Sequence, residues 1–561
     1  MGLRSSSKFL AIALVMVLAI AIGIFWSKNY RSTAFVPTAT TPSQSAAVFV
    51  PKRAPLMVSL FVNPDRLQSL GQNIGLPSGK LRYRLKNIQK DLLSNSAIDY
   101  KRDIQPWAGE EVTLAVTTPD IDRDSSNGEQ MGMLIAVATK DPQLSKEFLQ
   151  LFWQKQAVAG VNLALETDRG VKLIYTKASF LNPPGLFQPV ATALVGDKYV
   201  LFANHPKVLR EGINNVQAPN LNLKSASNFQ KAFSGMRENP VASIFVDFSQ
   251  WALQIRDWDA IVANKPKLAL ALSVNSGELV AETAWLTEGG DLSPLSPALS
   301  EPVGALEYIP AASSLVAASR DLRALWGGVS AAVADNWLLS SVVKPPLTEL
   351  EEEWGIDLAE DIFSWVKEEY ALAWLPGGSN RLVPDWIFAA ERSPETEEAI
   401  ARLDASANAA GYSIGSFSAG DRTVSAWTKL TATSLEDKKQ KDKNPPAIQA
   451  EAKALHATVG KYEIFASSLE AIDKALNLSE GDSLLAKKDF QKITALLPPE
   501  NNGYFYLDWS ANRQFLEKKL GWLKVAELWS PLLFDSDKTL TFTTTGGEVG
   551  IRRAKAVLTF D

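Results

Sequence analysis

This chain repeats itself. Asp103-Ile104-Gln105-Pro106-Trp107-Ala108-Gly109-Glu110-Glu111 returns as Asp361-Ile362-Phe363-Ser364-Trp365-Val366-Lys367-Glu368-Glu369, with five of nine positions identical at an offset of 258 residues. The match continues in order. Val48-Phe49-Val50-Pro51 corresponds to Glu307-Tyr308-Ile309-Pro310. Ala193-Leu194-Val195-Gly196 corresponds to Ala457-Thr458-Val459-Gly460. Ser243-Ile244-Phe245-Val246-Asp247-Phe248-Ser249 corresponds to Tyr504-Phe505-Tyr506-Leu507-Asp508-Trp509-Ser510. Offsets between 258 and 264 in those segments are far longer than a solenoid period, so the repeat points to two homologous tandem units.

Within each unit the reading is mixed and mostly antiparallel. Val112–Thr117 and Met133–Ala138 read as strands, and Asp141-Pro142 opens a helix through Gln156, with proline in its first turn. Hairpins follow at Asp168-Arg169-Gly170, at Val195-Gly196-Asp197-Lys198 and at Asn275-Ser276-Gly277. Two further helices are expected near Pro64–Asn73 and Lys80–Ser94. Short turns do not need crossovers, so neighbouring strands run antiparallel. The expected fold class is α+β: a tandem duplication of a mixed α/β unit preceded by one transmembrane helix. The boundaries are a tail (1–8), a membrane segment (9–26), a stalk (27–47), unit one (48–288), a Pro/Ser/Gly-rich linker (289–302) and unit two (303–561).

Phe9 to Trp26 is uncharged and apolar. At about 1.5 Å per residue it spans roughly 27 Å, near the bilayer core thickness. The run is long for a signal peptide, and Lys28 and Arg31 follow it where a cleavage site would stand. We expect an uncleaved signal anchor with the N-terminus in the cytoplasm and the body exported. Thr33 to Ala47 reads as an extended stalk.

Composition narrows the chemistry. There is no cysteine, which excludes disulfides, thiolate metal sites and cysteine nucleophiles. Net charge is only −5 and no basic domain stands out, so nucleic acid is not an expected partner. Of two histidines, His205 follows the glycine hairpin of its unit and His456 precedes the corresponding one; both read as surface or loop-end residues. The run 436–446 (Glu436 to Pro446) reads as a solvated charged loop.

Three features invite catalytic or binding readings. Gly411-Tyr412-Ser413-Ile414-Gly415 fits a nucleophile elbow in letters. That elbow needs strand, serine, helix; here a helix precedes and a strand follows. Asp247 and Asp508 are repeat equivalents that could do acid/base work, but each stands before an aromatic and a serine, where aspartate caps free amides. Trp107 and Trp365 are equivalents as well, and could line a ligand or partner surface or plug the core. The expectation is no catalytic residue, no cofactor and no metal, with Trp107 and Trp365 as the possible binding surface.

Ala46-Ala47-Val48-Phe49-Val50-Pro51, the stretch from Val58 to Leu67 (Val-Ser-Leu-Phe-Val-Asn-Pro-Asp-Arg-Leu) and Pro106-Trp107-Ala108-Gly109-Glu110-Glu111-Val112 resemble the domain-of-unknown-function 3352 family. The resemblance implies a membrane-anchored protein, typically cyanobacterial, with its body in the periplasm or thylakoid lumen. It brings no catalytic residues. The functional expectation is a non-enzymatic binding, scaffold or assembly protein with a protein partner. A carrier or chaperone for an apolar ligand (lipid or pigment) is the alternative, and a hydrolase the remote one.

Overall fold

The computed structural model describes residues 45–61, 99–177, 190–250, 265–288, 299–323, 357–376, 384–433, 447–513 and 538–560, with short breaks inside some of these ranges. The apolar segment 9–26, the expected helices between residues 64 and 94, the linker core and the charged loop 436–446 lie outside the described residues. Among the described residues no helix is long and apolar enough to cross a membrane.

The N-terminal half contributes β1 (Leu56–Leu60), β2 (Ala108–Thr118), β3 (Gly132–Thr139), β4 (Leu163–Asp168), β5 (Val171–Thr176), β6 (Ala191–Val195), β7 (Tyr199–Ala203), β8 (Ala242–Asp247), β9 (Lys267–Asn275) and β10 (Glu278–Leu286). The C-terminal half contributes β11 (Leu315–Arg320), β12 (Glu369–Leu375), β13 (Asp385–Glu391), β14 (Ser413–Ala419), β15 (Arg422–Thr433), β16 (Ala447–Val459), β17 (Tyr462–Ala466), β18 (Tyr504–Asp508), β19 (Lys538–Thr545) and β20 (Ile551–Phe560). Helices α1 (Pro142–Val158), α2 (Pro206–Gln217) and α3 (Ser227–Phe233) belong to the first half; α4 (Thr396–Ala409), α5 (Leu469–Leu476) and α6 (Lys488–Thr494) belong to the second.

The strands form one antiparallel sheet. Its spatial order is β4-β5-β6-β7-β3-β2-β1-β8-β9-β10-β20-β19-β18-β11-β12-β13-β17-β16-β15-β14. Read inward from each open end, the two halves have the same order. Register agrees as well: Met57 lies opposite Ala115 and Phe245, as Val316 lies opposite Ala373 and Tyr506. β10 pairs with β20, so among the described residues the sheet is continuous across the two halves.

At that junction Glu282 faces Lys555, with Nζ 3.4 Å from Oε1 and both side chains largely buried. The two positions also correspond in strand order, so a local pseudo-two-fold axis passes between them. Burial pushes the Lys555 ammonium down, and Glu282 pulls it back up. The buried Val280 packs into the core of the second half, while the buried Ile551 packs into that of the first. Arg553 on β20 donates to the carbonyls of Lys231 and Ala232 at the end of α3, at 2.8 and 3.1 Å. Lys492 of α6, the counterpart of Lys231, reaches Glu278 of β10 at 2.5 Å. Each half thus tethers the other.

Strand alternation places helices on both faces. Leu134 and Ala136 pack with α2, whereas Met133 and Val137 pack with α1. Asp141 starts α1 by accepting from the Gln143 and Leu144 amides at 3.0 Å each, with Pro142 supplying a helical φ in the first turn. The tight turn before β5 uses Arg169 and Gly170, both at positive φ (49° and 82°), as a two-residue hairpin with right-handed twist requires. The stalk also ends earlier than expected. Ser45–Val48 form a short 3-10 turn, and Ala46 and Ala47 are completely buried. Small side chains in a Ser/Thr/Pro context carry no hydrophobic signature.

Candidate functional site

Trp107 and Trp365 occupy matching places. Each follows one turn of π-type helix, Tyr100–Ile104 or Leu358–Phe363. The indole of Trp107 donates to the Asp103 carbonyl at 2.7 Å, and that of Trp365 to the Asp361 carbonyl at 3.0 Å. A paired aspartate braces each turn: the Asp99 amide donates to Asp103 and the Asp357 amide to Asp361, at 2.8 and 2.9 Å. Both indoles are 1% exposed, so each fills a core and presents almost no surface of its own. Of the two roles weighed for this pair, the core plug fits the geometry.

The surroundings of the two indoles differ. Around Trp107 a groove of about 190 Å³ opens between the π-type turn and α1. Trp107, Phe148 and Phe152 line it, with Leu144 and Leu151 exposed beside them. Trp107 and Phe148 lie 5.4 Å apart by ring centroids. The charged lining is mixed: Arg102, Lys155, Asp103 and Glu147. Arg102 grips Asp103 through Nε and Nη2 at 2.8 and 2.9 Å, and holds its carboxyl down to about 2. A carboxylate so pinned stays ionised at neutral pH and is unsuited to proton transfer. The groove offers an apolar group the exposed side chains of Leu144 and Leu151 above a buried aromatic floor. Glu360 stands where the first half has Arg102, and the matching helix α4 packs Ala399 and Leu403 where α1 packs Phe148 and Phe152.

The other candidates are dispersed. Asp247 accepts from the Ser249 amide and hydroxyl at 3.1 and 2.6 Å, and Asp508 accepts from the Ser510 hydroxyl and Ala511 amide at 2.8 and 3.0 Å. Both cap the turn that follows their strand. Lys267, itself buried, stands 3.8 Å from Asp247 and 2.8 Å from Glu288. Ser413 opens the exposed strand β14, so the strand-serine-helix order of a nucleophile elbow is reversed. His205 caps α2 by accepting from the Lys207 amide at 3.0 Å, which agrees with a loop-end residue.

His456 corrects its expectation. It lies on β16, 8% exposed, stacked on Phe465 and bonded through Nδ1 to Glu463 at 2.8 Å. Its Nε2 stands 3.7 Å from Asp404, which accepts from the Trp427 indole at 2.7 Å. Register pairs His456 with Thr192 of the first half, where Thr192 accepts from the Trp153 indole at 2.8 Å. One half closes this site with an aromatic residue and a hydroxyl; the other closes it with charged groups. Histidine on a strand that alternates with alanine resembles a surface residue until the covering helix is placed.

A repeated polar clamp left no motif in the sequence. Glu111 accepts from the Ala46 amide at 3.0 Å and the Tyr199 hydroxyl at 2.5 Å. Glu369 accepts from the Gly304 amide and the Tyr462 hydroxyl, both at 2.9 Å. A Cβ at Gly304 would lie 2.6 Å from the Tyr462 hydroxyl, so the chain passes here with almost no room. Burial first, then Glu369, pushes the Tyr462 phenol far above its ordinary range. Glu111 and Glu369 sit in the repeated segments, but only their shared partner, the incoming chain, reveals their role. Among the described residues, no cluster of three or more His, Asp or Glu side chains is arranged to hold a metal.

Comparison with known proteins places the chain. Residues 9–560 match the model of the family described as Protein of unknown function (DUF3352), and the chain belongs to that family. No curated protein matches it. A solved structure titled "Structure of crystal form I of TP0453" is 8% identical over 45% of this chain and 82% of that one, with a TM-score of 0.21.

Proposed function

We propose that this protein is a non-enzymatic scaffold, built by tandem duplication and anchored to a membrane through Phe9 to Trp26, with its body on the far side of that membrane from its N-terminus. One observation carries the reading: among the described residues twenty strands join into a single sheet whose halves repeat the same order and meet at β10–β20. The features common to both halves all tie chain to chain. They are the buried indole, the Glu–Tyr clamp and the aspartate cap. A continuous sheet suits a platform for partners, and the periplasm or a thylakoid lumen suits an exported platform of this kind.

The groove beside Trp107 favours a second reading, a carrier for an apolar ligand such as a lipid or pigment. Its volume of about 190 Å³ is below the range of roughly 300–1,000 Å³ usual for small-molecule sites, which places this reading behind the first.

Affinity purification of the tagged full chain from crosslinked membranes separates the two. A specific protein partner supports the scaffold; co-purified lipid or pigment without one supports the carrier. Protease added to the cytoplasmic face of sealed membrane vesicles tests topology, and a body digested from that face would remove the export reading.

A further inference from the structure

Among the described residues the sheet ends in two strands, β4 and β14, that are managed in different ways. A free edge offers unpaired amides and carbonyls to any other chain, and proteins blunt such edges with charge, proline or a bulge. On β4, Glu166 and Asp168 supply charge, and Arg210 clasps Glu166 through Nε and Nη2 at 3.0 and 2.8 Å. β14 has none of these devices. Its sequence is Ser413-Ile414-Gly415-Ser416-Phe417-Ser418-Ala419, without charge or proline, and its ladder to β15 runs without a bulge. Residues 413–418 are exposed, and among the described residues β14 pairs with β15 alone.

The turn that follows decides which groups are free. Gly420 and Asp421 connect Ala419 to Arg422 as a two-residue hairpin, with Gly420 at φ 61°. The pair flanking such a turn is hydrogen-bonded, so by alternation the amides and carbonyls of Ile414, Ser416 and Ser418 point to the open side. Ile414 is 41% exposed and Phe417 38%. They lie on opposite faces of the strand, so an added strand would cover both.

We propose that β14 is an assembly edge that pairs antiparallel with β14 of a second copy of this chain. An antiparallel strand edge is self-complementary, which is what a two-fold interface requires. Since β14 is uncharged, pairing with its own copy opposes no like charges, whereas β4 would set its acidic residues against themselves. The chain already contains this kind of joint: β10 and β20, equivalent in strand order, pair antiparallel about a pseudo-two-fold axis. The joint at β14 would be about seven residues, or roughly 24 Å, long. This goes beyond the scaffold reading. It names an edge and an occupant, and its failure would leave the partner-capture experiment untouched.

The test is the protein mass of the full chain in detergent micelles, by light scattering across a dilution series. The wild type is expected to pass from dimer to monomer on dilution. Ser416→Pro, which removes one outward amide, and Ile414→Lys, which places charge on the edge, are each expected to weaken the dimer about tenfold or more. Mixing Ser416→Lys with Ser416→Glu chains, whose side chains face each other in a pairing centred on residue 416, should restore dimers, as heterodimers only, and so show that chains altered at this edge fold. A monomeric wild type overturns the proposal. So does a dimer that these variants leave unchanged, since that would be held elsewhere, as through residues 9–26. A photo-crosslinker at position 416 that captures a different polypeptide also overturns it.

Discussion

The two halves of the sheet share a frame and differ in what they pack inside it. In both, an indole donates to the carbonyl four residues back, and a glutamate joins a tyrosine hydroxyl to the amide of the incoming chain. The first half then closes its helix-sheet layer with aromatic rings, Phe148, Phe152 and Trp153. The second half uses smaller apolar residues, Ala399 and Leu403, with the polar group Asp404-His456-Glu463. The lesson is that backbone-directed bonds define the frame, while the side-chain filling differs between the halves. Substitutions at shared positions should therefore hurt both halves alike, and those at divergent positions should hurt one.

The largest expected effect comes from the indoles. Trp107→Ala and Trp365→Ala should each cost about 3–5 kcal/mol, as removal of a buried aromatic residue does. Chemical denaturation with separate probes in each half checks this. A cost confined to one of the two variants would break the equivalence.

The junction ranks next. Lys555→Glu sets two carboxylates face to face and should cost about 3 kcal/mol, whereas the swap Glu282→Lys with Lys555→Glu should recover most of it. Both halves should lose stability together in the single variant, because the core clusters cross the junction. A third test sharpens the clamp comparison: Glu111→Gln and Glu369→Gln should each cost about 1–2 kcal/mol, through the weakened bond to the buried amide and hydroxyl.

The smallest effect is visible only at high pH. Tyr370, buried on β12, is pushed up to about 12, first by desolvation, with the Ser319 hydroxyl acting against it. Its counterpart in the first half is Val112. A phenol whose folded value exceeds its unfolded value of about 10 contributes stability that is complete below pH 10 and lost as pH climbs toward 12. Tyr370→Phe should make the alkaline loss in the second half shallower while leaving the first half unchanged. Denaturant midpoints measured between pH 9 and 12 read this directly.

Much of this architecture was legible in the letters. Collinear offsets identified equivalent strands, and Asp141-Pro142 located α1 through capping chemistry alone. Strands β2 and β3 contain the residues expected of them, 112–117 and 133–138. What stayed hidden depends on distant neighbours. The pairing of β10 with β20 joins strands some 270 residues apart, and an alternating pattern does not say whether an edge is open. Ala46 and Ala47 looked like stalk because burial of small residues leaves no hydrophobic signal. The groove beside Trp107 left no signal, because Leu144 and Leu151, seven residues apart, sit where any packed helix puts its apolar stripe.

The continuity of the sheet across the two halves is tested most directly by amide hydrogen exchange on β10 and β20 in the full chain. Pairing in the register that places Glu282 opposite Lys555 predicts slow exchange for alternate amides of both strands on their facing edges, at the level of β8 and β18. If those facing amides exchange as fast as the outward amides of the open edge β4, the halves are separate sheets and the protein has no continuous platform.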